Sequence, residues 1–318
     1  MQLPFINTAT AVARLGRSLT APFRGYGMEK VPGLQQLYVS AYTQLGPRSM
    51  HEVTLPDGRL LMDFKDRSIA PSIWLRRTYE PTFSEAIDRL AFPGMCFIDL
   101  GAHVGYYAAR MARQAGKEGF VAAYEPHPLM ARILAVNIYR NGLNPWTEIV
   151  EAATADRQYD GMLWTSMSNT GGASLVRNNV HDPQDAVCVP VVTLDNHLRE
   201  TLDVDRRVDL LKVDVQGVEA AAIDGAGKII ETDRPIILFE LNPSQMEASG
   251  TNVLAWSRGL EDAGYCFGLV DEAQRTIVFQ DAQQAIDWCR REKRDGTGFA
   301  NIVALHEADR ASSTRLGR

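Results

Sequence analysis

Four acidic residues each follow an apolar run of the kind that predicts a buried β-strand. They are Asp99, Glu125, Asp214 and Glu240. The carboxyl ends of neighbouring parallel strands meet at one edge of a sheet, where open α/β sheets bind their ligands. Carboxylates gathered there can accept hydrogen bonds from hydroxyl groups, hold a cation or remove a proton. The spacing therefore predicts one site, whereas a single acid of this kind would indicate only a solvated surface.

The first acid begins a glycine turn. Residues 97–105 read Phe-Ile-Asp-Leu-Gly-Ala-His-Val-Gly, so that a strand enters a D-x-G-x-x-x-G motif and then a helix. Gly101 allows a sharp turn and a close approach to a ligand, and Gly105 permits close passage at the start of the helix. The motif differs from G-x-G-x-x-G, which binds a pyrophosphate. A carboxylate here repels phosphate and suits a cofactor that carries an amino group and a sulfonium.

Glu125 ends the next strand, one β-α unit later. An acid at this place can accept hydrogen bonds from both hydroxyls of a ribose. Pro126 stops the strand and fixes the exit of the chain. His127 follows and could border the same site, although an exposed histidine is the simpler interpretation.

Asp214 and Glu240 end strands on the other side of the expected switch point. An alcohol that reacts as a nucleophile needs a base or a metal ion to help remove its proton. Asp214 is the leading candidate for either role, and Glu240 and Asn242 could share it. The oxygen atoms of all three suit Mg²⁺. The alternative is that Asp214 only caps the following helix.

The elements that must position these residues alternate between strand and helix. Short apolar strands separated by helices favour a doubly wound, mostly parallel α/β sheet with helices on both faces. A hairpin over 53–64, with a Pro-Asp-Gly turn, and a short helix over 84–90 precede it. Polar residues 165–185 interrupt the alternation and predict an insertion or loop near the site. The predicted strands are 96–100, 120–124, 148–152, 189–194, 210–213, 236–240, 266–270 and 301–305, and the predicted helices are 106–115, 129–141, 218–226 and 252–263.

The chain divides into three parts. Residues 1–50 are predicted to form a helical appendage, in which 5–19 have helix-compatible apolar spacing and basic residues. This appendage could pack on its own domain, mediate a homo-oligomer or lie on a membrane surface. Residues 51–310 are predicted to form the catalytic domain, within which 51–95 lead into the sheet. We expect 311–318 to be a disordered tail.

Composition excludes several classes of function. The chain has 318 residues and a formal net charge of −6, which argues against a general nucleic-acid binder. No apolar run reaches the roughly 20 residues of a membrane span, and no signal peptide is evident. The four cysteines have no zinc-binding spacing. We therefore expect a cytoplasmic protein with reduced thiols and no nucleic-acid partner.

With these motifs the sequence resembles the FkbM family of S-adenosylmethionine-dependent methyltransferases. The resemblance rests on the glycine turn, Tyr-Glu-Pro at 124–126, Leu-Lys-Val-Asp-Val-Gln-Gly at 211–217 and the strand that ends in Phe-Glu at 239–240. It implies a seven-stranded class I methyltransferase sheet and O-methylation of sugars or natural products, and therefore a small-molecule or glycan acceptor. His103 stands where the family usually has asparagine. The cofactor residues implied are Asp99, Gly101, Ala102, Gly105, Glu125 and Pro126.

Two other classes of function stay open. A catalytically silent cofactor-binding or scaffold protein could keep the same fold, although the presence of all four acids argues against a degenerate site. A nucleotide-dependent oxidoreductase is the other alternative, against which the missing G-x-G-x-x-G motif argues.

Overall fold

The computed structural model describes residues 49–66, 68–166, 169–293 and 298–316. Almost all of the predicted N-terminal appendage, residues 1–48, lies outside these ranges. Within them, no helix is long and apolar enough to span a membrane.

Strands and helices alternate along the catalytic domain. In chain order the strands are β1 (Met50–Leu55), β2 (Gly58–Asp63), β3 (Cys96–Leu100), β4 (Phe120–Tyr124), β5 (Thr147–Val150), β6 (Ala153–Thr154), β7 (Tyr159–Ser166), β8 (Asn169–Ser174), β9 (Asp185–Val192), β10 (Leu210–Val213), β11 (Ile236–Leu241), β12 (Tyr265–Asp271), β13 (Thr276–Gln280) and β14 (Ala300–His306). The α-helices are α1 (Ala70–Arg76), α2 (Pro81–Leu90), α3 (Tyr106–Ala115), α4 (Pro128–Arg140), α5 (Leu194–Asn196), α6 (Glu219–Asp224), α7 (Gly227–Asp233), α8 (Pro243–Ala248), α9 (Val253–Asp262), α10 (Ala282–Glu292) and α11 (Arg310–Arg315).

The central sheet has eight strands in the order β13-β12-β14-β11-β10-β3-β4-β5. Strand β10 pairs in parallel with both β3 and β11, whereas β14 runs antiparallel to β11 and β12. The chain builds outward from β3 through β4 to β5, then returns to the other side of β3 as β10. This reversal places a switch point between β3 and β10, where such sheets form a ligand crevice. The predicted doubly wound, mostly parallel sheet is confirmed, with β13 as an additional edge strand.

The sheet is buried on both faces, which explains its apolar strands. All five residues of β3 are buried. Because successive side chains point to opposite faces, Phe97 packs with α3 and α4 while Ile98 packs with α6 and α7. A parallel sheet covered by helices on both faces needs this kind of sequence.

A second, four-stranded sheet in the order β6-β9-β7-β8 interrupts the pattern. The strand predicted over 189–194 belongs to this sheet as part of β9, and not to the central one. The predicted insertion over 165–185 is also structured, since it contains β8 and a 3₁₀ turn at Arg177–Asn179. Strand β8 is glycine-rich and polar, so that apolar alternation gave no signal for it.

The two ends of the described chain pack on the central domain. The β1–β2 hairpin joins α4, because the Asn137 side chain exchanges hydrogen bonds with the backbone N–H and C=O of Leu61 at 2.6 and 2.9 Å. Residues 310–315 form α11, where a disordered tail was expected. The Asp309 carboxylate caps this helix at the Ser312 amide, 3.0 Å away, and Leu316 is buried in the core.

Candidate active site

A cavity of about 600 Å³ lies at the carboxyl edge of the central sheet, beside the switch point. This volume is in the usual range for a small-molecule site. Gly101, Ala102, Glu125 and Pro126 line one part, and Asp214, Glu240 and Asn242 line another. The structure therefore brings together most of the residues that the sequence indicates.

The glycine turn after β3 is fixed by backbone contacts. Gly101 has φ +80°, and a Cβ atom on it would lie 1.9 Å from the Asp214 carbonyl oxygen. The Gly101 and Ala102 amides both donate to the Tyr124 carbonyl at 2.9 Å. Gly105 has φ +87°, and a Cβ atom there would lie 2.4 Å from Leu134. The turn is thus pressed against β10 and α4, and only glycine fits at these two places.

His103 occupies the middle of this turn with φ +51°. Asparagine and histidine are among the residues that tolerate a left-handed backbone, which explains how histidine can stand where the resemblance expects asparagine. Its Nε2 atom lies 3.0 Å from Thr170 Oγ1 in β8 and 3.8 Å from Asp66 Oδ2. Burial lowers the pKa of His103. The neutral ring therefore connects the glycine turn to the second sheet.

Glu125 has both carboxylate oxygens held by the backbone. Oε2 accepts the His103 amide at 2.7 Å and Oε1 accepts the His127 amide at 2.8 Å. Burial raises the pKa of Glu125 to about 7, although these two bonds oppose the rise. The His127 ring accepts the Leu129 amide at 3.2 Å and so caps α4. His127 therefore has a structural role that the sequence did not suggest.

Asp99 lies behind the cavity wall, fully buried. Its Oδ1 atom is 3.1 Å from Lys212 Nζ, which also lies 3.5 Å from the Gly101 carbonyl oxygen and 3.8 Å from Asp214 Oδ2. Burial raises the pKa of Asp99, and Lys212 opposes the rise. For Lys212, burial alone would lower the pKa, but the neighbouring carboxylates outweigh it and the pKa is raised. Asp99 thus acts from behind the turn as the partner of a buried cation.

Sequence reasoning assigned no role to Lys212. The signal was present, because a lysine within the apolar strand Leu-Leu-Lys-Val must be buried, and buried lysines are almost always paired. The sequence could not identify which acid pairs with Lys212, because four acids were predicted at the same edge of the sheet.

Asp214 is accessible, with 35% of its side chain exposed, whereas Asp99 and Glu125 are buried. Gln216 Nε2 donates to its Oδ1 atom at 2.7 Å. Helix α6 begins at Glu219 and has no side-chain cap from Asp214. The Glu219 carboxylate instead accepts the Val215 amide at 3.2 Å and the Gly217 amide at 3.0 Å. The alternative that Asp214 only caps the helix is therefore wrong.

Glu240 lies in β11 and Asn242 directly follows this strand, and both residues line the cavity together with Asp214. Burial, followed by the charge of Asp214, raises the pKa of Glu240, whereas a hydrogen bond with Asn242 opposes the rise. The Asn242 Oδ1 atom accepts from Ser244 Oγ at 2.9 Å and from the Gln245 amide at 3.3 Å, which caps α8. This oxygen already accepts two hydrogen bonds, so that Asp214 and Glu240 are the members of the predicted Mg²⁺ set that remain as candidate ligands. Over the described ranges, no group of three or more His, Cys, Asp or Glu side chains could hold a metal ion.

The second sheet forms a polar wall that the sequence did not predict in detail. Residues 169–174 of β8 line the cavity. Ser174 Oγ donates to the Gln216 carbonyl at 2.7 Å, and Asn179 Nδ2 donates to the same oxygen at 3.2 Å. These contacts join the wall to the loop that carries Asp214. Tyr79, from the segment between α1 and α2, also lines the cavity, and no sequence signal marked it.

This strand order, with one antiparallel strand inside a parallel sheet and an acidic crevice at the switch point, is that of a class I methyltransferase. The family model of the methyltransferase FkbM domain matches residues 99–267, which is more than half of the chain. The chain therefore belongs to the FkbM family of S-adenosylmethionine-dependent methyltransferases.

Solved methyltransferase structures resemble the chain weakly. The methyltransferase FkbM from Methylobacillus flagellatus KT is 12% identical, with 87% of this chain and 60% of that chain covered and a TM-score of 0.41. A putative rRNA-methylase from Clostridium thermocellum is 10% identical over 72% of this chain and 98% of that one, with a TM-score of 0.42. No curated protein sequence matches. The family assignment accordingly rests on the match to the FkbM domain.

Proposed function

We propose that this methyltransferase binds S-adenosylmethionine against the glycine turn and transfers its methyl group to a hydroxyl of a sugar or another small natural product. The observation that carries the proposal is the composition of one cavity. Glu125, held by backbone amides, lies on the wall beside the glycine turn. The accessible Asp214 and the partly buried Glu240 lie on the wall formed by β10 and β11.

The first wall has the donor and acceptor set for a nucleoside. Each Glu125 oxygen accepts one backbone N–H, and each keeps a lone pair for a ribose hydroxyl. Gly101 and Ala102 line the cavity, so that a ligand can approach the backbone of the glycine turn. Pro126, Ala152 and Leu163 add apolar surface on which a flat ring can pack.

The second wall has a base for the acceptor. When bound, the cofactor supplies an electrophilic methyl group on a positively charged sulfur. The Asp214 carboxylate can take the proton of the acceptor hydroxyl, because it is partly exposed and is oriented by Gln216. Transfer would form the bond between the acceptor oxygen and the methyl carbon, break the bond between that carbon and sulfur, and leave S-adenosylhomocysteine. Asp214 would take the proton of the hydroxyl and release it to solvent. Glu240, whose pKa is raised, is suited to donate a hydrogen bond to the acceptor.

A general base accounts for this site better than Mg²⁺ does. The Asn242 oxygen is already engaged in capping α8, and Lys212 supplies positive charge 3.8 Å from Asp214. We therefore expect a chelator to leave turnover unchanged.

Calorimetry tests the cofactor assignment directly. The protein should bind S-adenosylmethionine and S-adenosylhomocysteine and show no comparable binding of NAD. Transfer of a labelled methyl group to a panel of sugars and hydroxylated natural products then identifies the acceptor class, with and without a chelator. Binding of NAD in preference to the two sulfur compounds would overturn the proposal. Transfer only to amines or carboxylates would overturn its acceptor part.

A further inference from the structure

Glu80 has an unusual backbone conformation next to the site. Its φ is +41° and its ψ is +70°, in the left-handed region, and Pro81 follows it directly. Residues other than glycine, asparagine and aspartate seldom adopt such angles, and proline restricts the preceding residue further. Strain of this kind persists where the surrounding structure enforces it, often at functional sites. Glu80 is also the N-cap residue of α2, yet its side chain makes no capping hydrogen bond.

The carboxylate of Glu80 turns inward instead. Tyr107 donates its hydroxyl to Glu80 Oε2 at 2.8 Å, and the Asn301 side chain makes a second hydrogen bond. Asn301 is the register partner of Glu240 across β14 and β11. Glu80 therefore lies behind the wall that carries the acids, without lining the cavity itself.

Tyr107 connects Glu80 to the buried cation. Lys212 Nζ lies 5.4 Å from the centre of the Tyr107 ring, within the range of a cation–π contact. The same ammonium contacts Asp99 and the Gly101 carbonyl oxygen. A path of direct contacts thus runs from Glu80 through Tyr107 and Lys212 to the glycine turn.

We propose that Glu80 is a positioning residue for the cofactor site, which acts through Tyr107 on Lys212. The Glu80 carboxylate holds the Tyr107 hydroxyl, and the Tyr107 ring in turn keeps the Lys212 ammonium against Asp99 and the glycine turn. The inference rests on the proposed function, because that function assigns the turn to the cofactor. The FkbM domain matches residues 99–267, and Glu80 precedes them. The residue that positions Tyr107 therefore lies outside the matched part of the chain.

The test uses S-adenosylhomocysteine as the probe, since its binding requires no acceptor. Glu80→Asn tolerates the left-handed backbone but is too short to reach Tyr107, and we expect it to weaken binding about tenfold. Tyr107→Phe should weaken binding to a similar extent. The double variant should bind no more weakly than either single one, because both changes break the same path. Glu80→Gln keeps an acceptor for the Tyr107 hydroxyl and should restore most of the affinity.

Tyr265→Phe is the matched control. Its buried hydroxyl donates to the Pro235 carbonyl at 3.0 Å, at the other edge of the sheet. Its loss should lower the melting temperature as Tyr107→Phe does, yet leave the affinity unchanged. If Glu80 were merely structural, Glu80→Asn would lose thermal stability and bind the probe like the wild type, and the inference would be overturned. Losses that add in the double variant, or an equal loss in Tyr265→Phe, would also overturn it.

Two further outcomes separate the inference from the function beneath it. A wild-type protein that binds neither S-adenosylmethionine nor S-adenosylhomocysteine would overturn the proposed function, and the inference with it. Wild-type binding together with unchanged binding by Tyr107→Phe would overturn the inference alone. Tyr107→Phe also decides the question if Glu80→Asn does not fold.

Discussion

The two walls of the cavity hold their acids in different ways. On the wall formed by β3 and β4, Glu125 is 6% exposed and accepts a backbone amide on each oxygen. On the wall formed by β10 and β11, 35% of the Asp214 side chain is exposed, and Gln216 donates a side-chain hydrogen bond to it. A carboxylate fixed by the backbone is preorganised to bind. A carboxylate that solvent can reach is able to exchange a proton.

The difference arises from the residues that follow each acid. After Glu125 the chain enters α4 directly, so that the His127 amide points back at the carboxylate. After Asp214 the chain turns through two positive φ angles, +56° at Gln216 and +98° at Gly217. The amides of this turn point to Glu219 and not to Asp214. Glu219 thereby accepts the Val215 and Gly217 amides, which leaves the Asp214 carboxylate available for the proton transfer proposed above.

The largest expected effect follows from changing Asp214. If it is the base, Asp214→Asn should lower single-turnover methyl transfer by about 10²–10⁴, the range for losing a positioned base. Affinity for S-adenosylmethionine should stay within a few-fold, because Glu125 and the glycine turn are untouched. Quenched-flow transfer to the identified acceptor and calorimetry measure the two quantities.

Asp209→Asn is the control for this change. Asp209 precedes the same strand at its opposite end, where its carboxylate accepts the Cys96 amide at 2.9 Å. Its replacement should affect stability but not turnover per folded molecule. A normal turnover rate in Asp214→Asn would remove this residue from the catalytic assignment. Rescue of that variant by Mg²⁺, together with silencing of the wild type by a chelator, would instead establish a metal site.

Glu125→Ala is expected to have the next largest effect. The loss of charged hydrogen bonds to a ribose should weaken cofactor binding by about 1.5–3 kcal/mol, or roughly 10- to 150-fold. Glu148→Ala, at an exposed position on the neighbouring strand β5, should have no effect. Calorimetry gives the dissociation constant of the cofactor for both variants, and the difference between them measures the contribution of the Glu125 carboxylate. An unchanged dissociation constant for Glu125→Ala would mean that this carboxylate does not bind the cofactor.

The pH dependence of binding should reveal the burial of Glu125. Burial raises its pKa to about 7 in the free protein, so the carboxyl is largely protonated at pH 6 and ionised at pH 8. The ionised form is the better acceptor for ribose hydroxyls, and affinity should therefore rise with pH, by at most about tenfold per pH unit. Glu125→Gln should flatten this rise. The variant separates Glu125 from Glu80 and Glu219, whose pKa values burial also raises to about 7. An unchanged slope in Glu125→Gln would assign the titration to one of those groups.

The sequence was most informative where strands are buried on both faces. The predictions over 96–100, 120–124 and 210–213 match β3, β4 and β10 at both ends. Their apolar runs are bounded by glycine, proline or charged residues, and a buried parallel strand tolerates little else. Because register follows from such strands, the convergence of Glu125, Asp214 and Glu240 on one edge was also predictable.

The contacts that distinguish the four acids could not be predicted. The Asp99 side chain could point to the cavity or to Lys212, and only the packing of the sheet fixes which direction it takes. Strand β8 is polar and glycine-rich, because it covers a cavity and not a core. Tyr79 and Glu80 lie in a segment without periodicity, and the left-handed backbone of a glutamate before proline goes against local preference. Local rules therefore failed mainly around the site, where strain and polar burial concentrate.

The smallest expected effect concerns His103, the departure from the family pattern. Both histidine and asparagine tolerate its φ of +51°, so His103→Asn should preserve the turn. The variant removes the contact with Thr170 Oγ1, a single hydrogen bond worth about 0.5–1.5 kcal/mol. We expect cofactor affinity to change by less than about tenfold, and Thr170→Val to have the same effect. His103→Ala should do more harm, because alanine tolerates the left-handed backbone less well. Melting temperatures and calorimetry on the three variants rank these effects. A larger loss in His103→Asn than in Thr170→Val would show that the imidazole contacts the cofactor itself, and the wall beside the turn would then owe part of its binding to His103 as well as to Glu125.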